Sequence, residues 1–459
     1  MKLFKLEPSE KNIVTHAGCV LVGKAIDTFT SLREAIDAAL PKRHGTPTSD
    51  IVILKAGLQA QGTPSFNAVN EVKDDEFFAD ALALETPVPC ETTCRSRLDK
   101  EAEALLPLVQ TASADFLKNA RIPLTPVSTG HIPLDMDVSP HDNSRTQKEG
   151  VSRTYKNCDG FSPLYGYLGE EGWPVHAELR PGKQHSQKHF IEALCSALEV
   201  SQPIIQQQPL HAHQVLVRLD SAHDALETRS TLQQMDTPLL VDYIIKWNPR
   251  KEASQENKEK LLEYAIELGP LAHWSEPREG KQVVTFTRYV EETFKGQTHT
   301  ARQVIQLTRR TIDKTGQPLL FPELEVEGWW TTMELCDEGV KGLYCEHATS
   351  EQFHSEYKTD LDLERLPSSK FSTNALILSI GMLTYTILRW IGMQGLMDSQ
   401  SPVRHPAKRR RRLLTVIQKL IRLGARYVRH GRSRVIKLNC DASTFQAFQK
   451  VYHALCDST

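Results

Sequence analysis

The alternation of apolar and polar residues divides the chain into three stretches. Up to about residue 128, apolar residues recur at helical spacing. "FTSLREAIDAAL" (29–40) follows a Thr/Ser start, "SDIVILKAGLQAQG" (49–62) opens on Ser/Asp and closes on Gly62, and 90–120 adds one or two further helices. The Arg-bearing "TTCRSRL" among these short helices fits either a helix-turn-helix-like unit or a plain helical bundle. Past Pro126 the period drops to two. In "HIPLDMDVS", Ile132, Leu134, Met136 and Val138 alternate with Asp135 and Asp137. Residues 160–182 read as one or two more strands broken by Gly-rich turns. "QVLVRLDS" (214–221) is the nearly continuous apolar run of a central strand, with Asp220 at its carboxyl end. A polar helix (256–269) leads to a second β-rich block, "KQVVTFTRYVEETF" (281–294) and "ARQVIQLTRRTI" (301–312). The remainder is expected to be helical at 371–397, 411–431 and 443–456.

Composition changes this picture in one place. With 459 residues, 40% hydrophobic and 24% charged, the chain resembles ordinary soluble proteins and is long enough for two to four domains. Its net charge of −2 conceals a polarised distribution. Ser401–Thr459 hold fourteen Lys/Arg against two Asp/Glu, while residues 1–400 hold 41 against 55. A basic end of this kind suits a polyanion, although a solvated basic helix has the same composition. Nine cysteines at irregular spacing, with no CxxC pair, do not form a disulfide framework. Cys90 and Cys94 lack the second pair that a zinc site needs. "MKLFKLEPSEKN" has no apolar core of signal-peptide type, and the apolar stretch 374–390 is short for a membrane span. The expectation is a cytosolic, reduced protein.

Two aspartates at or near strand ends are the first chemical signal. Asp137 and Asp220, joined by an acid from a helix, would form an oxygen-rich pocket for Mg²⁺ or Mn²⁺. Two such ions about 4 Å apart can activate a nucleophilic oxygen and stabilise a leaving oxygen at phosphorus. Each aspartate alone is also common in turns. The helix "LYCEHATSEQFHSEYKTDLDLERLP" (343–367) places Tyr344, His347, Glu351 and Lys358 along one stripe, because residues advance by about 100° each. Glu351 would be the third carboxylate, with Lys358 and Tyr344 on phosphate oxygens. A solvated helix face has the same spacing. His185, His189, His211 and His213 match no common metal site.

Tyr344–x2–His347–x3–Glu351–x6–Lys358 resembles the Y-(2)-R-(3)-E-(6)-K signature of bacterial insertion-sequence DDE transposases. "LDMDVSPHDNSRTQKEGVSRTYKNCDGFSPLYGYLGEEGW" with "ELRPGKQHSQK" resembles their first-aspartate segment, and "LVRLDSAHDA" their second. The N-terminal helices and "RRRRLLTVIQKLIRLGARYVRHGRS" are similar as well, so the likeness covers nearly the whole chain. The resemblance implies an α/β protein with an RNase H-like mixed-sheet core at 129–370 and a β-rich insertion at about 225–325. A helical DNA-binding domain (1–128) and a basic helical domain (371–459) would flank it. It also implies catalysis by Asp137, Asp220 and Glu351 on two Mg²⁺ ions, or Mn²⁺, with Asp135 two residues away as the alternative first acid. Tyr344, His347 and Lys358 would contact DNA, as would the basic run Lys408, Arg409, Arg410, Arg411 and Arg412. Trp329 and Trp330 are candidates for stacking a flipped base, the alternative being that one Trp packs in the core. His347 departs from the signature: its imidazole is shorter than the expected Arg and only partly charged, and Arg153 or Lys188 could cover that phosphate instead. The implied function is cut-and-paste transposition on double-stranded DNA (terminal inverted repeats and target) by a homodimer at the bacterial nucleoid, without membrane association. The alternatives are an inactive, transposase-derived DNA-binding protein and a structure-specific nuclease.

Overall fold

Apolar runs without polar alternation need cover on both faces, and a nine-stranded mixed sheet supplies it. The computed structural model describes residues 13–209, 214–235, 237–313, 315–407, 409–431 and 433–458. The strands are β1 (Ile132–Val138), β2 (Leu164–Leu168), β3 (Trp173–Glu178), β4 (Gln214–Leu219), β5 (Leu240–Lys246), β6 (His273–Arg278), β7 (Lys281–Phe294), β8 (Gln297–Ile312) and β9 (Pro318–Thr331). They lie in the order β6-β7-β8-β9-β5-β4-β1-β2-β3. β1 is antiparallel to β2 and parallel to β4, β4 is parallel to β5, and β2 is antiparallel to β3. Parallel neighbours need a crossover, provided by helix Phe190–Ile205 before β4 and Leu226–Gln234 before β5. The order β3-β2-β1-β4-β5 with these directions is that of an RNase H-like core. Strands β6–β9 form long antiparallel hairpins that continue the same sheet, because β9 pairs with β5 through Trp330↔Ile245 and its neighbours.

The apolar stretch near 374–390 forms helix Phe371–Gly395, and 94% of its most apolar window is buried within the protein. It packs against helix Glu91–Asn119 and against β3. At that junction the Trp390 ring meets Phe29 at 5.2 Å and Phe116 at 6.5 Å. Asp99 accepts hydrogen bonds from Ser368 (3.1 Å) and Thr373 (2.6 Å). Helices from both ends of the sequence therefore share one apolar core with the sheet.

Two expected local structures differ. "TTCRSRL" is not a short helix of its own but part of the single 29-residue helix Glu91–Asn119. There Arg95 lies over Phe66 (4.3 Å) and Arg97 pairs with Glu101 (3.2 Å), so both arginines serve packing. The helix expected at 411–431 stops at Ile421. Residues Ala425–His430 and Ser433–Leu438 form a hairpin, and Ala425–His430 also pairs with Ile13–Val14. The alternation of buried Ala425 and Tyr427 with exposed Arg426 has strand period, which the preceding apolar helical run masks in the sequence.

Candidate metal centre and nucleic-acid interface

The parallel pairing of β1 with β4 sets Met136 beside Leu219. One residue further, Asp137 and Asp220 meet beyond the carboxyl end of β4, where open α/β sheets place their reactive crevices. Asp137 Oδ1 accepts from the Val138 amide (2.7 Å) and Asp220 Oδ1 from the Ala222 amide (3.0 Å). The 3₁₀ turn Ser221–His223 then returns His223 toward the two acids. Ligand atoms of Asp137, Asp220 and His223 all lie within 4.8 Å of one another. His223 is fully buried and stacked on Phe190 at 4.0 Å, and among the described residues neither of its ring nitrogens has a hydrogen-bond partner.

Electrostatics agree with a cation-seeking site. Burial, then the neighbouring Asp137 charge, pushes the Asp220 carboxyl up to about 6. Burial pulls His223 down to about 4, so its ring is neutral at pH 7. Burial would also raise Asp137, but His354, with Nε2 3.5 Å from Asp137 Oδ2, outweighs it and lowers that carboxyl. Two adjacent carboxylates and an unpartnered buried imidazole are donors that a divalent metal accepts, so these residues fit a bound cation.

The other acid of β1 has a different role. Asp135, directly opposite Arg218 in register, is 2% exposed and makes a two-pronged ion pair with that guanidinium (2.7 and 2.8 Å). His347 Nδ1 lies 3.0 Å from the same carboxylate. Burial opposes charge on His347, and Asp135 overcomes it to raise the imidazole above its usual range. At the position where the signature has Arg, His347 therefore faces a buried acid inside the fold. Arg153 pairs with Asp159 at 3.6 Å, and Lys188 is exposed.

The helix opposite these strands runs as Asp337–Cys345, a 3₁₀ turn, Ser350–Ser355 and a π turn through Asp360. Its inner side presents His347 and His354. Glu351 is exposed and does not belong to the three-residue cluster. The Lys358 amine donates to Pro140 O (2.6 Å), and burial pulls it down to about 8. Tyr344 packs against Trp329 (6.1 Å) and His347 (5.7 Å). Burial raises its hydroxyl, and the fields of Asp220, Asp137 and Asp135 add to that.

The family described as "Transposase DDE domain group 1" matches residues 5–458 of this sequence. The chain belongs to this DDE transposase family. No curated protein matches it. Among solved structures it is similar to a piggyBac transposase synaptic complex with hairpin DNA, at 10% identity and a TM-score of 0.39, over 90% of this chain and 82% of that one.

Other positions of this transposase differ from the sequence reading. Trp329 and Trp330 are 2% and 6% exposed, because they lie in the last, buried part of β9, between β8 and β5; the start of the strand is exposed. Trp330 stacks under the Arg229 guanidinium at 4.3 Å. Neither indole offers a free face to a base in this structure. The arginines of the basic run also make contacts within the protein, with Arg409 and Arg412 still about half-exposed. Arg410 pairs with Glu356, Arg412 with Asp360 (2.9 Å), and Arg409 with Glu170 (2.7 Å). Arg411 is buried and donates to Leu396 O (2.7 Å). Arg410 and Arg412 thus clamp the helix that carries His347 and His354, while Arg409 and Arg411 are held elsewhere. Lys408, His211 and His213 lie outside the described residues, and His185 and His189 are exposed.

Sequence reasoning missed His223, His354 and Tyr155. His354 follows His347 by seven residues, on the stripe already noted, and His223 follows Asp220 by one 3₁₀ turn. Tyr155 donates to Val138 O (3.1 Å) while its ring stays 62% exposed beside the two acids. Only its place in the fold marks it.

Proposed function

We propose that this transposase catalyses cut-and-paste DNA transposition of a bacterial insertion sequence, with Asp137 and Asp220 as the central metal-binding acids. The observation that carries this reading is the meeting of those acids at adjacent ends of parallel strands, in a chain whose family is that of DDE transposases. Bound divalent cations, Mg²⁺ or Mn²⁺ and two in number, would activate the attacking oxygen and offset charge on the phosphoryl group. Asp137 and Asp220 orient the cleavage site. Glu351, on the edge of the same helix as His354, is the remaining acid of the proposed triad. Tyr344, His347, Glu351 and Lys358 stand as a variant of the Y-R-E-K signature in which the imidazole holds Asp135. Lys358, whose amine now donates to Pro140 O, would turn to a phosphate oxygen when DNA is bound.

In the first step water attacks phosphorus at the transposon end, the P–O3′ bond breaks, and a 3′-hydroxyl is released. In the second, that hydroxyl attacks a target phosphodiester and displaces its 3′ oxygen. Two protomers on paired ends, acting on cytoplasmic DNA, complete the reading.

The test is to incubate purified protein with Mg²⁺ and DNA carrying the element's terminal inverted repeats. Wild type is expected to nick and join the ends, and Glu351→Gln to leave them intact. Equal inertness of both proteins would remove the catalytic reading, whereas cutting without joining would make the protein a nuclease.

Charge on the basic run gives a separate expectation. Arg409 is half-exposed, and its surface pair with Glu170 contributes at most about 1 kcal/mol to stability. Arg409→Ala should therefore leave stability nearly unchanged. If this guanidinium meets one phosphate, the slope of log K against log salt should fall by about 0.9. An unchanged slope in a salt titration of DNA binding would show that Arg409 serves only the contact with Glu170.

A further inference from the structure

We propose that His223 is a nitrogen ligand of the divalent cation held by Asp137 and Asp220, and that this donor biases the centre toward Mn²⁺ over Mg²⁺. The inference rests on the metal-dependent reading above and specifies the chemistry of the same site.

A buried polar atom is ordinarily hydrogen-bonded, and a buried imidazole has two nitrogens to satisfy. His223 is 0% exposed, yet among the described residues both of its nitrogens are without partners. Asp220 comes close, but the separation from Nε2 to Oδ1 is 3.9 Å, too long for a hydrogen bond. The ring is also held in place. It lies nearly parallel to Phe190, with an interplanar angle of 25° and a centroid distance of 4.0 Å. The backbone fixes its approach, because Asp220 caps the turn Ser221–His223 through the Ala222 amide. A ring nitrogen is thus presented to two carboxylates, with all three ligand atoms within 4.8 Å of one another. A cation shared among them would satisfy the imidazole and neutralise the acid pair together.

His354 offers a useful contrast. Its Nε2 faces Asp137 Oδ2 at 3.5 Å and its Nδ1 lies 3.4 Å from the Tyr167 hydroxyl, and it is not in the three-ligand group. Its Nε2 is also without a hydrogen-bond partner among the described residues, so the contrast lies in geometry: only His223 shares the three-atom cluster with both acids. The metal preference follows from donor chemistry. Mg²⁺ binds oxygen ligands and keeps its waters, whereas imidazole favours later, softer divalent ions, and Mn²⁺ precedes them while still accepting carboxylates.

The experiment uses the full-length protein and Mn²⁺ alone. Binding is followed by electron paramagnetic resonance, and the bound ion is probed for nuclear modulation from ¹⁴N. Wild type should show the coupling of one imidazole nitrogen, which ¹⁵N-histidine labelling should convert to ¹⁵N without any substitution. His223→Phe preserves the ring stack on Phe190 and should abolish the coupling, while His354→Gln should retain it. The Mn²⁺ Kd should rise at least about tenfold in His223→Phe, a change of roughly 1.4 kcal/mol, with a smaller rise for Mg²⁺ measured by competition. Mn²⁺ binding that depends on Asp220 but shows no nitrogen coupling would overturn the His223 assignment and leave the metal-dependent reading standing. Coupling that persists in His223→Phe would do the same. Binding indifferent to Asp220→Asn would overturn the metal centre and the His223 assignment together.

Discussion

Asp220→Asn is expected to reduce transposon-end cleavage by at least about a thousandfold, on the order of 4 kcal/mol of barrier, without reducing the stability of the metal-free protein. Both halves follow from one arrangement. The Asp220 carboxylate is partly buried beside Asp137, and burial followed by that neighbouring charge raises its pKa to about 6. At pH 7 the ionised form is disfavoured by the fold, since a folded-state pKa above the unfolded value favours the protonated form. The neutral amide removes that repulsion, so the melting temperature of the apo-protein should hold or rise as activity disappears. Sites kept for chemistry at a cost to stability behave in this way. Asp137→Asn should also abolish cleavage. End-cleavage rates and thermal melts of the same preparations provide the check. A variant that loses activity and unfolds early would assign Asp220 a structural role instead.

Glu356→Gln is expected to destabilise the protein by about 3 to 5 kcal/mol, the usual loss when one member of a buried ion pair is removed. Glu356 is 1% exposed, and both of its oxygens are bound by arginines, Arg389 from the central helix and Arg410 from the basic run. Arg389 is itself fully buried; it also donates to Tyr385 Oη (2.5 Å) and to Arg411 O (2.6 Å). Without the carboxylate, its charge stays in the core with neutral acceptors only. The basic run would also lose one of its two holds on the π turn Glu356–Asp360, keeping that of Arg412 on Asp360. A shift in the denaturation midpoint at constant slope would measure the loss. A shift worth less than about 1 kcal/mol would show that water or a rearranged Arg410 replaces the pair.

How far the site was legible in the sequence differs from residue to residue. Asp220 was the clearest, because it ends the apolar run of β4 and a continuous apolar run of that length marks an interior strand. Asp137 was favoured over Asp135 only by the resemblance, since residues two apart on a strand point to the same face. The register with β4 separates them: it sets Asp135 opposite the buried Arg218 and leaves Asp137 beside Asp220. His347 looked like a weakened phosphate contact, and its partner is an acid 212 residues earlier in the chain. For the tryptophan pair the sequence left base stacking and core packing side by side, because nothing local shows which neighbours a strand will have; pairing of β9 with β5 and β8 puts both indoles in the core. The basic run was legible as charge. Charge counts do not name a partner, and here Glu170, Glu356 and Asp360 take up much of it.

The sequence by itself determined many of the elements and the order of the acids along them, because periodicity and propensity act over a few neighbouring residues. Tertiary structure decided which side chains meet. The pairing of Asp135 with Arg218 spans 83 residues, and that of Arg410 with Glu356 spans 54. Such contacts depend on strand register and helix packing set by the whole core, to which no local pattern is sensitive. The metal centre is where the two levels join: local apolar patterning brought each aspartate to the end of its strand, and the parallel pairing of β1 with β4 placed them side by side with His223 above.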